Sequence, residues 1–273
     1  MSAGEIGRIG ICGCGRMGAG MLRNLLAAGI DVRGFDIRPP SAFGELPVTD
    51  DMAAFMDGLD VLVSVVRDRA QTDAALFDAE ALLAKGAPRF VVISSTLSPK
   101  DLPEIAARLP GGVTLVDAPM SGAQARAEAG TLSFMLGGPD EALDALAPLW
   151  SAMGSHAHRM GPPGAGMTAK VLNNMMAAAA MASTRLALDW AAAAGLDRRA
   201  FLALAETSSG RNWFTGDWDG IEFAAHGFDP ENSVGILAKD VRCALGAAPE
   251  GADTSLPELL ERQIRALRPT ALD

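Results

Sequence analysis

The chain has 273 residues, 49% of them hydrophobic, which is more than one ordinary domain needs and enough for a sizeable core. Its 23 basic and 33 acidic residues leave a formal charge of −10, which argues against nucleic acid or an anionic membrane as a partner. Three cysteines (Cys12, Cys14 and Cys243) cannot make a disulfide framework. The start lacks a basic leader with an apolar run, and no stretch reaches the roughly 18 apolar residues of a spanning helix. A cytoplasmic protein is therefore expected. No metal site is expected either, because Cys12-x-Cys14 has no second pair and His156 and His158 lack companion ligands.

The first strand is expected at Arg8–Cys12, followed by Gly13-Cys14-Gly15-Arg16-Met17-Gly18 and a helix over residues 17–28 that Gly29 ends. A second strand, residues 31–35, leads into Asp36. G-x-G-x-x-G alone says little. Between a strand and a helix, with an acid closing the next strand, it becomes a dinucleotide fingerprint. Gly13 permits the tight turn, Gly15 lets a pyrophosphate approach the backbone, and Gly18 allows helix to pack on strand. Arg16 and Met17 open the helix whose free N–H groups would face that pyrophosphate. Asp36 would accept hydrogen bonds from the adenosine ribose, which favours NAD; Arg38, two residues on, leaves NADP possible.

Strand and helix then alternate. Strands are expected at 61–66, 90–93, 114–116, 132–136 and 157–160, and helices at 69–77, from Pro99 to about Leu109, and at 139–153. The continuous apolar runs suit a sheet buried on both faces. The whole reads as an α/β Rossmann domain, a doubly wound parallel sheet, over residues 1–162. Ligands of such sheets lie beyond the carboxyl ends of the strands. This makes Val66, Arg67, Ser95, Thr96 and the loop of Ser121, Gly122 and Ala123 candidate walls of a site.

From residue 163 to 273 only helical patterns remain, at 166–194, 198–207, 233–247 and 256–267. An all-α domain is expected there, joined to the first by the long interdomain helix. That helix has no charge between Val171 and Thr184. A helix apolar nearly all round is buried, so Lys170 and Asn174, four apart and on one face, need partners. The alternative is a snorkelling lysine with locally bonded amides. Trp213, Phe214 and Trp218 fit core packing better than pocket lining, and Arg211 is as readily a solvated side chain as an anion ligand. The long apolar helix exceeds what so small a domain can cover, so a homodimer or homotetramer is expected.

Four segments together resemble the β-hydroxyacid dehydrogenase family of 3-hydroxyisobutyrate dehydrogenase and tartronate semialdehyde reductase, and more distantly 6-phosphogluconate dehydrogenase. They are GICGCGRMGAGMLRNLLAAG, DAPMSGAQARAEAGTLSFMLGG, GAGMTAKVLNN and the late AKD. The resemblance implies that Lys170 is the catalytic acid/base and that Ser121, Gly122 and Asn174 hold the substrate. It further implies that Ser95 and Thr96 meet the nicotinamide side of the cofactor and that Lys239 borders it. The reaction implied is hydride transfer between NAD(P) and the carbinol of a small 3-hydroxy acid. Ala123 stands where the family usually has a second glycine, Ile93 where an acid is common, and Asn232 where an aromatic is frequent. Imine reductases are related but replace the lysine, so Lys170 favours alcohol/carbonyl chemistry over an imine reductase-like enzyme or a non-catalytic NAD(P)-binding protein.

Overall fold

The computed structural model describes residues 6–272, and the chain divides between Lys170 and Val171 into two compact units. The first is built on β1 (Arg8–Cys12), β2 (Val32–Phe35), β3 (Val48–Thr49), β4 (Leu59–Ser64), β5 (Phe90–Ile93), β6 (Thr114–Asp117), β7 (Met120–Ser121), β8 (Leu132–Gly137) and β9 (Gly154–Gly161). In space the order is β3-β2-β1-β4-β5-β6-β8-β7, with β9 on β8. Pairing is parallel from β3 through β6.

Helices α1 (Arg16–Ala27), α2 (Met52–Met56), α3 (Arg69–Leu76), α4 (Asp101–Arg108), α5 (Ala123–Glu128), α6 (Asp140–Ala145) and α7 (Ala147–Met153) accompany the strands. The apolar runs fill both sides of the sheet. Val61, Val63 and Val92 pack with Met21, Leu22 and Trp150, while Leu62, Val91 and Ile93 pack with Phe55, Leu76 and Ile105. Fully burying each such side chain is worth about 1.5–3 kcal/mol, which is why the strands read as uninterrupted apolar stretches rather than alternating ones.

Two expectations change in detail. The sheet is mostly parallel, but β8 runs antiparallel to β6 and to β7. The chain between β6 and β8 holds only the six-residue α5 as helix, too little to cross the sheet and return in the same direction. The helix expected over 139–153 is two helices, because Pro148 lacks an N–H and sits in the first turn of α7. The short β3, α2, β7 and α5 carry too few residues for a visible period.

The second unit contains most of α8 (Ala165–Ala193) with α9 (Arg198–Glu206), α10 (Ser233–Gly246) and α11 (Ser255–Ala266). Met181, Leu188, Phe214, Val234, Val241 and Ile264 share its core. Phe214 and Trp218 meet edge-on at 5.4 Å and belong to that core, whereas Trp213 is 42% exposed and donates its indole N–H to Ala177 O. Asn232 caps α10 by accepting the Gly235 N–H. Arg185, buried, donates to the carbonyls of Ala224 and His226 at 2.7 and 3.0 Å and also to that of Arg268. No helix among the described residues is long and apolar enough to cross a membrane.

Candidate active site

The glycine loop after β1 takes the form its residue types dictate. Gly13 has φ +93°, and a Cβ there would meet Val65 O at 2.8 Å. A Cβ on Gly18 would stand 1.9 Å from Gly13 O, so only glycine lets α1 pack this close. Gly15 differs from both. It is the N-cap of α1, no side chain caps the helix, and nothing lies within 4 Å of the Cβ position. Exposed Arg16 and half-buried Met17 follow in the first turn. A helix N-terminus with uncapped N–H groups beside open space is built to take an anion. The loop fits a dinucleotide pyrophosphate on these observations alone.

Asp36 follows β2 directly, beside that loop, and is 8% exposed. Its Oδ2 accepts the Cys14 N–H at 2.9 Å and Arg38 Nη2 at 3.0 Å. Its Oδ1 accepts the Arg38 N–H at 3.1 Å and Nε at 2.9 Å. Burial works against the charge, but the hydrogen bonds from Arg38 and Cys14 outweigh it and hold the carboxyl below its usual range. The Arg38 guanidinium also lies 4.6 Å from the Phe43 ring centroid. Next to them Cys14 is an inert thiol, pushed up to about 12 chiefly by burial.

Val66 and Arg67, both half-buried, follow β4, and Val66 Cγ1 stands 3.1 Å from a Cβ built on Gly13. Ser95 is buried after β5 with its hydroxyl 3.5 Å from Ser64 O, and Thr96 follows half-buried. Ser121 ends β7 half-buried. Gly122 has φ +140° and Ala123 φ +50°. Ala123 is thus a side-chain-bearing residue in the left-handed region, at a cost of roughly 1–2 kcal/mol. Such strain persists where the surroundings over-determine it, often at functional loops.

Helix α8 begins on an anchor that the sequence did not reveal. Asp117, wholly buried at the end of β6, accepts the N–H groups of Gly164 at 2.7 Å and Met167 at 2.6 Å. Burial pushes its carboxyl up, and these backbone donors pull it back. A Cβ on Gly166 would fall 2.3 Å from Met135 O, so the helix lies directly against β8. From Gly166 to Met181 the buried positions are Gly166, Met167, Lys170, Val171, Asn174, Ala178 and Met181. Only Lys170 and Asn174 are polar in that stripe, at 7% and 8% exposure.

Asn174 is held on both sides. Its Oδ1 accepts from Asn173 at 3.2 Å, and its Nδ2 donates at 2.5 Å to Asp240 on α10. Asp240, 1% exposed, lies 3.0 Å from Lys239 Nζ. Sequence reasoning named Lys239 and missed Asp240. The signal was there: an acid among Leu237, Ala238, Val241 and Ala244, on the buried side of α10. Arg211 is exposed, 3.5 Å from Glu206, and the stacked His156 and His158 stand exposed on β9. No group of three potential metal-ligating side chains occurs among the described residues.

Residues 8–161 match the family described as the NAD binding domain of 6-phosphogluconate dehydrogenase. Residues 164–269 match the one described as NAD-binding of NADP-dependent 3-hydroxyisobutyrate dehydrogenase. The NAD-dependent L-serine dehydrogenase of Pseudomonas aeruginosa is 35% identical over 91% of this chain and 86% of its own. A 3-hydroxyisobutyrate dehydrogenase from Salmonella typhimurium superimposes with TM-score 0.81 and 28% identity over 94% of this chain and 93% of that one. A Mycobacterium tuberculosis 3-hydroxyisobutyrate dehydrogenase, solved with L-serine, gives 0.78 and 28% over 94% and 92%.

Proposed function

The chain belongs to the β-hydroxyacid dehydrogenase family and uses NAD(P), and we propose from that premise that it oxidises the 3-hydroxyl of a small 3-hydroxy acid, or reduces the matching carbonyl. The observation that carries the reading is the pair of polar side chains, Lys170 and Asn174, one turn apart in the otherwise apolar buried stripe of α8. A buried ammonium group and a buried amide each cost several kcal/mol unless something polar meets them.

When bound, NAD(P) supplies the hydride-exchanging ring. The chain's own residues do the rest. Gly13, Gly15, Arg16, Met17 and Gly18 hold the pyrophosphate, Asp36 the adenosine ribose, and Val66, Arg67, Ser95, Thr96 and Lys239 the remainder of the cofactor. Lys170 Nζ, as the uncharged amine, takes the proton from the substrate hydroxyl during oxidation and becomes the ammonium, which returns that proton to the carbonyl oxygen during reduction. The Ser121 hydroxyl, the Gly122 N–H and the free proton of the Asn174 amide hold the carboxylate, with Ala123 beside them. Asp240 fixes which way that amide points. L-Serine heads the substrates to be tried, since it is a 3-hydroxy acid and is named for one relative and bound in another.

Full-length protein with NAD or NADP and a panel of L-serine, 3-hydroxyisobutyrate and glycerate, followed by NAD(P)H absorbance, tests the reading. Lys170→Ala should lower kcat by roughly 10²–10⁴ while NADH binding, read by fluorescence, stays within about twofold. A Lys170→Ala enzyme with near-normal turnover removes the role given to that lysine. A wild-type chain that turns over none of these acids refutes the substrate class.

A further inference from the structure

Two helices of the sheet unit open on loops assigned to the reaction, α1 on the pyrophosphate loop and α5 on the loop of Ser121, Gly122 and Ala123. Further along, the two meet backbone to backbone. A Cβ on Gly20 would fall 2.7 Å from Ala127 C and 2.8 Å from Ala127 O, so α1 presses directly on the last turn of α5. Half-buried Asn24 lies one turn on from Gly20, on the same side of α1. It donates Nδ2 to Ala127 O at 2.7 Å. That carbonyl is open to it because the Thr131 N–H, which a continued helix would give to Ala127, turns back to Arg126 O at 3.0 Å.

Little else holds α5. Of its six residues only Ala127 is buried. So short a helix has no stability of its own, and whatever fixes it decides where its first residues stand. Those residues include the left-handed Ala123, a conformation that persists only while its surroundings impose it. We propose that Asn24 is a positioning residue for the substrate. By tying Ala127 to α1 it sets the register of α5, and with it Ser121, Gly122 and strained Ala123, against the helix whose start takes the pyrophosphate. Leucine would fill the same space without the donor, and aspartate would turn an acceptor on the carbonyl. The proposal rests on the substrate role given above to Ser121 and Gly122.

Steady-state kinetics of the full-length protein test it, with saturating NAD(P) and whichever of L-serine, 3-hydroxyisobutyrate and glycerate the wild type turns over fastest. Asn24→Leu should raise KM for that acid at least about fivefold with kcat within about threefold, the mark of lost uniform binding. The Kd for NADH, read by fluorescence, should stay within about twofold. Adding Ala123→Gly should shrink the KM rise to under about twofold, because glycine keeps the left-handed conformation without being forced into it. Asn24→Ser, whose hydroxyl stops short of Ala127 O, carries the same expectations should circular dichroism show the leucine variant unfolded. Purely additive effects of the Asn24 and Ala123 changes overturn the proposal, as does a KM that rises only together with the NADH Kd. Ser121→Ala separates the proposal from the reading beneath it. If that variant raises KM and Asn24→Leu does not, the tie is overturned and the substrate loop stands. If Ser121→Ala leaves KM unchanged, the loop does not hold the acid and both fall.

Discussion

Each oxygen of Asp36 already accepts two hydrogen bonds, three of the four donated by Arg38. A ribose hydroxyl arriving there has to share or displace a donor, and Arg38, with a half-exposed side chain, is the one able to leave. With its guanidinium half-exposed and its carboxylate buried, the pair is screened by water on one side and is worth on the order of 1 kcal/mol, so the competition is mild. Arg38→Ala should therefore bind NADH up to about fivefold more tightly and NADPH more weakly, since it removes a guanidinium that bonds both oxygens of that carboxylate. Fluorescence titration with both cofactors measures the two directions independently. Tighter NADPH binding by the variant would show that Arg38 does not serve the phosphate-bearing ribose.

Among elements, legibility followed length and period. The sequence displayed β1, the glycine loop, α1 and Asp36 because every residue type there has one job. The buried strands were legible because a two-sided sheet leaves an unbroken apolar run. Residues 120–128 were not, since a two-residue strand and a six-residue helix show no period and the reversal of β8 depends on a connection too short to cross. Lys170 and Asn174 stood out as polar groups on an apolar helix, whereas Asp117 looked like the end of a strand. Nothing in its neighbours says that its carboxylate meets a helix some fifty residues later. Arg185 was equally silent. It donates to carbonyls on three residues far along the chain, and removing it strands them. Arg185→Ala should cost about 2–4 kcal/mol in urea unfolding, with faster amide exchange near residues 224–228. An unchanged unfolding midpoint would mean that water replaces the guanidinium at no cost.

For the whole molecule, the boundary between its two units does not coincide with the end of the sheet. The strands stop at Gly161 and the two family matches divide there as well, while the first turns of α8 pack with the sheet in one compact unit that extends to Lys170. Met167 belongs to the sheet's core and receives the Leu97 N–H at 3.3 Å on its sulfur, while Asp117 is satisfied by backbone donors from the same two turns. The helix start therefore works as a plug for the sheet unit. Cut the polypeptide after Gly161 and a carboxylate with no solvent access loses its donors while a methionine-sized void opens beside Leu97. Such a fragment should precipitate or melt without cooperativity in a thermal scan. One prolonged to about residue 172 should remain folded and still bind NADH. The same arithmetic warns anyone grafting this cofactor module onto another protein to carry the plug along with it.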